Sequence, residues 1–304
     1  MNVVHLSRTP VSGAPERLSR AINRYSNDTR SVYHVLADGC MNNASLLNDL
    51  HRADIIHWHN VFYDKLYNVI KNKKHVIQYH TEPGFSGVGH PQWSPPENIK
   101  IEKLVINHYH SALNYFKGCT RVRNVVDLQP SVYDNRDPRQ DDVVISFTPS
   151  SAVFGVWQDK GIDKHKWCIN RAACYFKNKI KIRLDIVTGT SWEASIRNKL
   201  NSDIVLDECI TPSYHLSSLE GLACGKPTIC WTDERVNKQL LEVSGADRVP
   251  FLGTYVGWLE DYLVDLIERG PLKLQQEGKL AREWFEKYWD PRDIVAEYID
   301  IYTK

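Results

Sequence analysis

The chain has 304 residues and a mass of 35.1 kDa, which is long enough for two domains of ordinary size, each with its own core. Its 38 Lys and Arg residues nearly cancel its 37 Asp and Glu residues, which argues against a surface built as a whole to hold nucleic acid. Hydrophobic residues make up 42% of the chain and charged residues 25%, so wholesale disorder is excluded as well.

The first half of the chain alternates short β-type runs with helical patterns, which is typical of parallel α/β units. Residues 81–98 contain four prolines and three glycines, and we predict a long irregular loop there, either covering a site or forming a structural excursion. Before and after this loop the predicted strands are 3–6, 31–36, 55–58, 75–79 and 104–107, and the predicted helices are 16–25, 43–50 and 65–71.

The second half repeats the same alternation after a polar, charged stretch at 134–142, where we place the linker between two domains. A last helix follows a proline break, and no internal repeat stands out. The predicted strands of this half are 143–147 and 183–187, and the predicted helices are 164–176, 192–200, 255–268, 273–287 and 291–302.

A carboxylate on a short helix is the most informative feature of the second half. An apolar strand at 204–206 precedes a polar turn. Ser217 and Ser218 are placed to cap helical N–H groups or to leave them free for a phosphate. Glu220 is expected in the first turn of the helix. Gly225 and the following Lys-Pro would end the helix before the strand at 228–231. An ordinary strand–helix–strand unit with a solvated Glu is the alternative interpretation.

Five further motifs in chain order, together with this helix, resemble those of GT-B glycosyltransferases, most closely glycosyltransferase family 4. They are an Asp-x-x-His-x-His strand at 53–59, a strand ending in His at 76–81, a loop at 123–127 similar to Pro-Asn-Gly-Val-Asp, a Lys-Gly element at 159–163, and a strand with a Gly turn at 184–189. The resemblance implies an α/β protein of two Rossmann-like domains facing each other across a cleft. It implies an acceptor-binding domain at 1–138 and a nucleotide-sugar-binding domain at 139–304, with the last helix packing back on the first domain.

The resemblance also implies roles for single residues. Lys160 would neutralise the donor diphosphate, although a surface lysine is the alternative, and Glu220 would accept hydrogen bonds from the ribose hydroxyls. His80, at the carboxyl end of a predicted strand, would lie at the reacting sugar as the catalytic candidate. The donor-binding candidates are Gly13, Lys160, His215, Leu216, Ser217, Ser218 and Glu220.

Other candidates have plainer alternatives. Gly13 before a helix is commonly a simple turn, and His215 fits a core or loop role equally well. His57 and His59 point to the same side of a strand, and we expect them to be buried and hydrogen-bonded rather than catalytic.

The chain departs from the family pattern at two places. Many relatives carry a second Glu eight residues before the first, but Pro212 stands there, which puts the retaining branch in doubt. Relatives often have an Arg shortly before the Lys-Gly element, where this chain has Thr148 to Ser151. Phosphate contacts would then come partly from hydroxyl and N–H groups.

The expected function is metal-independent transfer of a sugar from a nucleotide diphosphate sugar, such as a UDP- or GDP-sugar, to a saccharide or other hydroxyl acceptor. No metal site and no further cofactor are expected. A glycan or lipid-linked saccharide is the expected acceptor partner, and near-neutral charge does not favour a nucleic acid. A degenerate GT-B protein that binds a sugar nucleotide or a partner without transfer is the main alternative, and a GT-B epimerase or a phosphorylase-like enzyme is less favoured.

Seven cysteines without a Cys-x-x-Cys pair predict neither a disulfide framework nor a zinc-ligand spacing. Cys168, Cys174, Cys224 and Cys230 lie in apolar stretches, and we expect reduced core residues. The N-terminus has no signal-peptide pattern, and no apolar run approaches the ~18 residues of a membrane span. We therefore expect a soluble, cytoplasmic enzyme, with peripheral contact with a membrane left open.

Overall fold

The structure, a computed structural model, describes residues 1–36, 43–96, 98–128, 141–149, 160–177 and 179–304. The chain divides into two compact units. Unit 1 comprises Met1–Asp127 and Pro291–Lys304, and unit 2 comprises Leu128–Asp290. Residues 134–140 of the predicted linker lie outside the described residues, and Asp142 is already the first residue of a strand.

Unit 1 contains a six-stranded parallel sheet in the order β2-β1-β3-β4-β5-β6. Every strand pair is parallel because helices and loops make the crossovers, and this arrangement buries the central strands on both faces. Its first elements are β1 (Asn2–Ser7), α1 (Ala14–Tyr25), β2 (Arg30–Val35), α2 (Ala44–Arg52), β3 (Ile55–His59), α3 (Asp64–Ile70), β4 (Lys74–Tyr79), β5 (Glu102–Ile106) and β6 (Thr120–Val122).

Unit 2 contains a five-stranded parallel sheet in the order β11-β10-β9-β7-β8. Its apolar core lies between the sheet and the helices, with Ile145, Phe147 and Leu206 among the residues of zero exposure. The elements are β7 (Asp142–Phe147), α4 (Ile162–Phe176), β8 (Lys181–Ile186), α5 (Trp192–Leu200), β9 (Ile204–Leu206), α6 (Leu216–Ala223), β10 (Thr228–Cys230), α7 (Glu234–Ser244), β11 (Leu252–Gly253), α8 (Leu259–Glu268) and α9 (Pro271–Tyr288).

The last helix, α10 (Pro291–Thr303), belongs to unit 1. It buries Ile294, Val295, Tyr298 and Tyr302, and the Tyr302 hydroxyl is 2.7 Å from Nδ1 of His57 on β3. The chain therefore begins and ends in the same unit.

Sequence periodicity predicted most of these elements to within a few residues. It missed the two short strands β6 and β11, whose three and two residues are too few to show a pattern. It also missed α7, although Asp233 and Gly245 are typical residues for the start and the end of a helix. In the structure the Asp233 side chain accepts a 2.8 Å hydrogen bond from the N–H of Val236, and Gly245 ends the helix with φ +68°. The predicted helix at 255–268 begins as a 3-10 turn, and its α-helical part starts at Leu259.

The cysteines of the described residues are free thiols. Cys168, Cys224 and Cys230 are buried, as predicted, but Cys174 is exposed, so the prediction of a core residue was wrong there. Cys174 lies on the solvent side of α4, whose buried face is formed by residues such as Cys168 and Phe176. None of the described helices is long and apolar enough to cross a membrane.

Candidate functional site

The most concentrated polar cluster of unit 2 lies where β9 ends and α6 begins. Leu216 is the first residue of α6, and His215 before it has an extended backbone, with φ −120° and ψ −178°. Glu220 is therefore the fifth helical residue. The prediction that it lies in the first turn was wrong, because the helix begins at Leu216, before the two serines expected to cap it.

Asp207, directly after β9, is the centre of this cluster and is 1% exposed. Its Oδ1 accepts a 2.5 Å hydrogen bond from Lys160 Nζ. Its Oδ2 accepts from the Ser218 hydroxyl at 2.5 Å and from the His215 backbone N–H at 3.1 Å, and His215 Nδ1 lies at 3.1 Å as well. One carboxylate thus joins the start of α6 to a cation that precedes α4.

The charge on Asp207 is maintained by this arrangement. Burial by itself would raise the pKa of Asp207, but the Lys160 ammonium and His215 beside it hold that pKa well below the usual range. A depressed carboxyl pKa contributes stability that is present above the unfolded-state value and is lost only as the pH falls through the folded-state value. The Asp207 carboxylate therefore stays ionised at neutral pH.

Glycine is required directly after Lys160. Lys160 and Gly161 both have left-handed backbones, with φ +50° and +68°, and a Cβ on Gly161 would lie 2.0 Å from Cδ1 of Ile210. His165, one turn into α4, bonds the Gly161 carbonyl through Nδ1 at 2.9 Å and accepts the Cys209 N–H at Nε2 at 3.1 Å. These contacts fix the Lys-Gly turn against the loop that follows β9.

A second buried ion pair involves Glu220. Its Oε2 lies 3.0 Å from Nζ of Lys199 on α5, and its Oε1 accepts from the Trp192 indole N–H at 2.9 Å. Lys199 has zero exposure and also donates to the Thr148 hydroxyl at 2.8 Å, which in turn lies 2.8 Å from the Ser217 hydroxyl. A chain of polar contacts therefore runs from Glu220 to the first turn of α6.

The structure brings six of the eight predicted site residues into unit 2, in this cluster: Lys160, His215, Leu216, Ser217, Ser218 and Glu220. Lys160 is 6% exposed and ion-paired, so the alternative of a solvated surface lysine was wrong. The alternative of a solvated Glu220 was wrong too, since its side chain is buried and paired. Gly13 and His80 belong to unit 1.

In unit 1, Gly13 and His80 share Arg17 as a neighbour. A Cβ on Gly13 would lie 3.5 Å from the Arg17 guanidinium, and the charge of Arg17 contributes to the shifted pKa of His80. His80 follows β4 and its backbone N–H donates to Oδ1 of Asn60 at 2.6 Å. Burial, with His110 and Arg17 nearby, lowers the pKa of His80 to about 3, so its ring is neutral at neutral pH.

A row of histidines lies behind His80. His59 Nδ1 is 2.8 Å from His80 Nε2, and His59 Nε2 is 3.0 Å from His5 Nδ1. His57 and His59 are buried and hydrogen-bonded, as predicted. The three rings of His5, His57 and His59 each offer a nitrogen within 4.8 Å of the others, a set of possible metal ligands that the sequence did not reveal.

Sequence reasoning missed Asp207, Lys199, Arg17 and His5. Asp207 had a signal, because it directly follows a buried strand, where ligands commonly bind in parallel sheets. Lys199 and Arg17 had none, because a cation on an amphipathic helix is normally solvated. His5 became recognisable only when β1 was placed beside β3.

Unit 2 also has a cavity of about 530 Å³ away from this cluster. Val143 at the beginning of β7, Phe176 at the end of α4, and Ile267, Pro271 and Leu274 line it. It therefore lies at the amino ends of the strands, whereas Asp207 and Thr148 follow the carboxyl ends. In open parallel sheets the carboxyl ends are the usual binding edge, and we assign the candidate site there.

No protein-family model matches the chain, and no curated protein does. Solved structures match over nearly its whole length. HepE from Anabaena in complex with UDP-glucose has a TM-score of 0.58 at 12% identity, and the match covers 99% of each chain. A glycosyltransferase from Rickettsia africae has a TM-score of 0.58 at 15% identity, covering 99% of this chain and 97% of the other. Sucrose-phosphate synthase from Thermosynechococcus elongatus has a TM-score of 0.57 at 10% identity, covering 100% and 98%.

These neighbours are GT-B glycosyltransferases, and the likeness shows the fold: an α/β protein with two parallel-strand units. The predicted fold class is confirmed at that level. The closer resemblance to family 4 and the incomplete paired-Glu motif remain predictions.

Proposed function

We propose that this protein transfers a sugar from a nucleotide diphosphate sugar to a hydroxyl acceptor. The observation that carries the proposal is the cluster at the start of α6, where two buried lysine–carboxylate pairs and serine hydroxyls surround a helix N-terminus on a GT-B fold. Fixed positive groups at such a position suit a diphosphate leaving group, whose charge grows as the sugar departs.

The diphosphate would bind at the first turn of α6. The N–H groups of Leu216 and Ser217 come before that of Ser218, the first N–H of the helix to bond back to the His215 carbonyl, at 3.1 Å, and they point out of the helix end. The hydroxyls of Ser217 and Thr148 lie beside them, with the Lys199 ammonium 2.8 Å behind Thr148. Lys160 would act indirectly, by holding Asp207 and hence Ser218 and His215 in place.

Glu220 would bind the ribose. Lys199 and Trp192 each contact one of its oxygens, and because a carboxylate oxygen can accept more than one hydrogen bond, a ligand hydroxyl could bond there as well. The solved neighbour HepE carries UDP-glucose, and MnaA from S. aureus was solved with UDP, which supports a uridine or other nucleotide donor here.

His80 would contact the sugar as a neutral hydrogen-bonding group. A pKa of about 3 makes its ring a poor proton acceptor at neutral pH, so we do not assign it a general-base role. We propose that residues 1–138 bind the acceptor, a glycan or lipid-linked saccharide, and that residues 139–304 bind the donor. The scheme uses helix N–H groups and hydroxyls on the diphosphate, with Lys199 behind Thr148, and includes no further cofactor.

The test is calorimetric binding of a panel of UDP- and GDP-sugars, followed by transfer assays with saccharide acceptors. Glu220→Gln keeps the side-chain shape and removes the charge, and we expect its donor affinity to fall about tenfold, or about 1.4 kcal/mol. Ser217→Ala should weaken donor binding to a similar extent. Lys164→Ala removes an exposed cation from the first turns of α4 and serves as the matched control.

Wild-type affinity in both Glu220→Gln and Ser217→Ala, each shown to be folded at the assay temperature, would refute the assigned site. Donor binding without a transfer product across a broad acceptor panel would instead identify a binding protein without catalysis. Transfer that disappears in Glu220→Gln but persists in Lys164→Ala would support the proposal.

A further inference from the structure

Three histidines of unit 1 lie side by side on one face of its sheet. His5 on β1 is in register with His57 on β3, and His59 follows two residues later, so the three side chains point to the same face. Their exposed fractions are 0%, 0% and 1%, and their ring centroids are 4.3 to 5.2 Å apart. Such a group of buried imidazoles is a set of nitrogen donors with no access to bulk water.

Hydrogen bonds already occupy the outer nitrogens of two of these rings. His57 Nδ1 bonds the Tyr302 hydroxyl at 2.7 Å, and His59 Nδ1 bonds His80 Nε2 at 2.8 Å. The Nε2 atoms of His57 and His59 are left for the cluster itself. His59 Nε2 lies 3.0 Å from His5 Nδ1.

Polar atoms around the cluster are unsatisfied. Among the residues that the structure describes, His57 Nε2 and Gln78 Oε1 are buried and have no hydrogen-bond partner; His5 Nε2 has none either, but it is the nitrogen that does not face His59. Gln78 on β4 is in register with His59, which places it on the same face, and its side chain is close enough to interact with the His57 ring without the geometry of a hydrogen bond. Proteins satisfy nearly all buried polar atoms, with a protein group, an ordered water or an ion.

We propose that His5, His57 and His59 bind a divalent first-row transition metal, with zinc as the best fit and Gln78 Oε1 as the candidate for a fourth position. Two nitrogens on one tetrahedral zinc lie about 3.3 Å apart, given Zn–N bonds of about 2.0 Å. The 3.0 Å distance between His5 Nδ1 and His59 Nε2 is close to that edge. Neutral imidazole favours zinc, copper, nickel or cobalt over magnesium and calcium, which require oxygen ligands.

The outer hydrogen bonds fit this assignment. A histidine that binds a metal through one nitrogen usually donates its other N–H to a fixed acceptor, and the Tyr302 hydroxyl and His80 Nε2 are in that position for His57 and His59. With the metal on His59 Nε2, the proton of His59 must be on Nδ1 and is donated to His80. His80 Nε2 then accepts that hydrogen bond, so a bound metal would fix the direction of the bond between His59 and His80.

The experiment uses the full-length protein without a histidine tag, freed of metal with a chelator, in the absence of any nucleotide sugar. Titration with Co²⁺ should give one equivalent bound and the intense visible absorption of tetrahedral Co²⁺, which Zn²⁺ then abolishes. His57→Gln should abolish this spectrum. Tyr302→Phe should lower the affinity about 10- to 100-fold, as expected for the loss of an outer hydrogen bond.

His75→Gln is the matched control. His75 is another buried histidine of unit 1, but its nitrogens are occupied by Trp58 Nε1 at 3.2 Å and the Ile70 carbonyl at 3.2 Å, and it should leave Co²⁺ binding unchanged. Absence of tetrahedral Co²⁺ in the wild type would overturn the proposal, as would wild-type affinity in His57→Gln. If His57→Gln does not fold, the wild type and Tyr302→Phe decide. Since no donor is present, the outcome is independent of sugar transfer.

Discussion

The two units bury polar side chains in different ways. Unit 1 buries neutral imidazoles that bond to one another, as in the row from His5 through His59 to His80. Unit 2 buries opposite charges in pairs, Lys160 with Asp207 and Lys199 with Glu220. A neutral ring needs only a donor and an acceptor when it is buried, whereas a buried charge needs a counter-charge, so unit 2 is expected to be more sensitive to the loss of one partner.

Removal of one ion-pair partner should have the largest effect. Lys160→Met leaves the Asp207 carboxylate buried without its cation, and we expect unfolding to become easier by about 3–5 kcal/mol. Urea unfolding, with hydrogen exchange followed at 204–206 in unit 2 and 55–59 in unit 1, would measure the loss and locate it. Lys164→Met, at an exposed position of the same helix, should change stability by less than about 0.5 kcal/mol.

Equal destabilisation by Lys160→Met and Lys164→Met would contradict the role given to the buried pair. Faster exchange in both units to the same extent would show that they unfold together, and the comparison between them would then have to be withdrawn.

A medium effect is expected from the turn that positions Lys160. Gly161→Ala adds a Cβ 2.0 Å from the Ile210 side chain at φ +68°, while Gly245→Ala has the same φ and no heavy atom within 4 Å. In both variants the positive φ should lower the free energy of unfolding by about 1 kcal/mol, because a residue with a Cβ is strained there. The clash with Ile210 should lower it by about 1–3 kcal/mol more in Gly161→Ala. Thermal and urea unfolding of the two variants isolates the packing part. Similar losses in both would mean that Ile210 simply moves aside.

The smallest effect is the pH dependence of two buried histidines, one in each unit. Burial lowers the pKa of both His75 and His165. For His165, the Gly161 carbonyl and Asp207 partly oppose this shift, whereas Lys160 and Lys164 lower the pKa further. The unfolded chain, with a histidine pKa of about 6.5, then binds more protons than the folded chain below that pH. The stability that each neutral ring contributes is full above about pH 6.5 and is lost as the pH falls.

His75→Gln and His165→Gln should therefore differ from the wild type in unfolding free energy by more at pH 7.5 than at pH 5, with the difference narrowing by about 1.4 kcal/mol for each unit of pKa depression down to pH 5. Unfolding free energies at both pH values provide the measurement. A gap that stays constant in either variant would show that the ring titrates alike in the folded and unfolded chain.

The sequence predicted the strands and helices well where the pattern was long and local. The helix at 192–200 and the strand at 204–206 were predicted to the residue. The site was predicted in part. Lys160, Ser218 and Glu220 were identified as members, but their partners Asp207 and Lys199 were not, because those contacts join residues 11 to 47 positions apart that no local pattern links.

The sequence by itself determined the alternation of strands and helices, the end of α6 at Gly225 and the apolar faces, because periodicity and backbone sterics act over a few residues. Only the tertiary structure decided which buried charges are paired, that Glu220 lies in the second turn of α6, and that His5 lies beside His57. Burial and strand register set these features, and both depend on distant parts of the chain packing together.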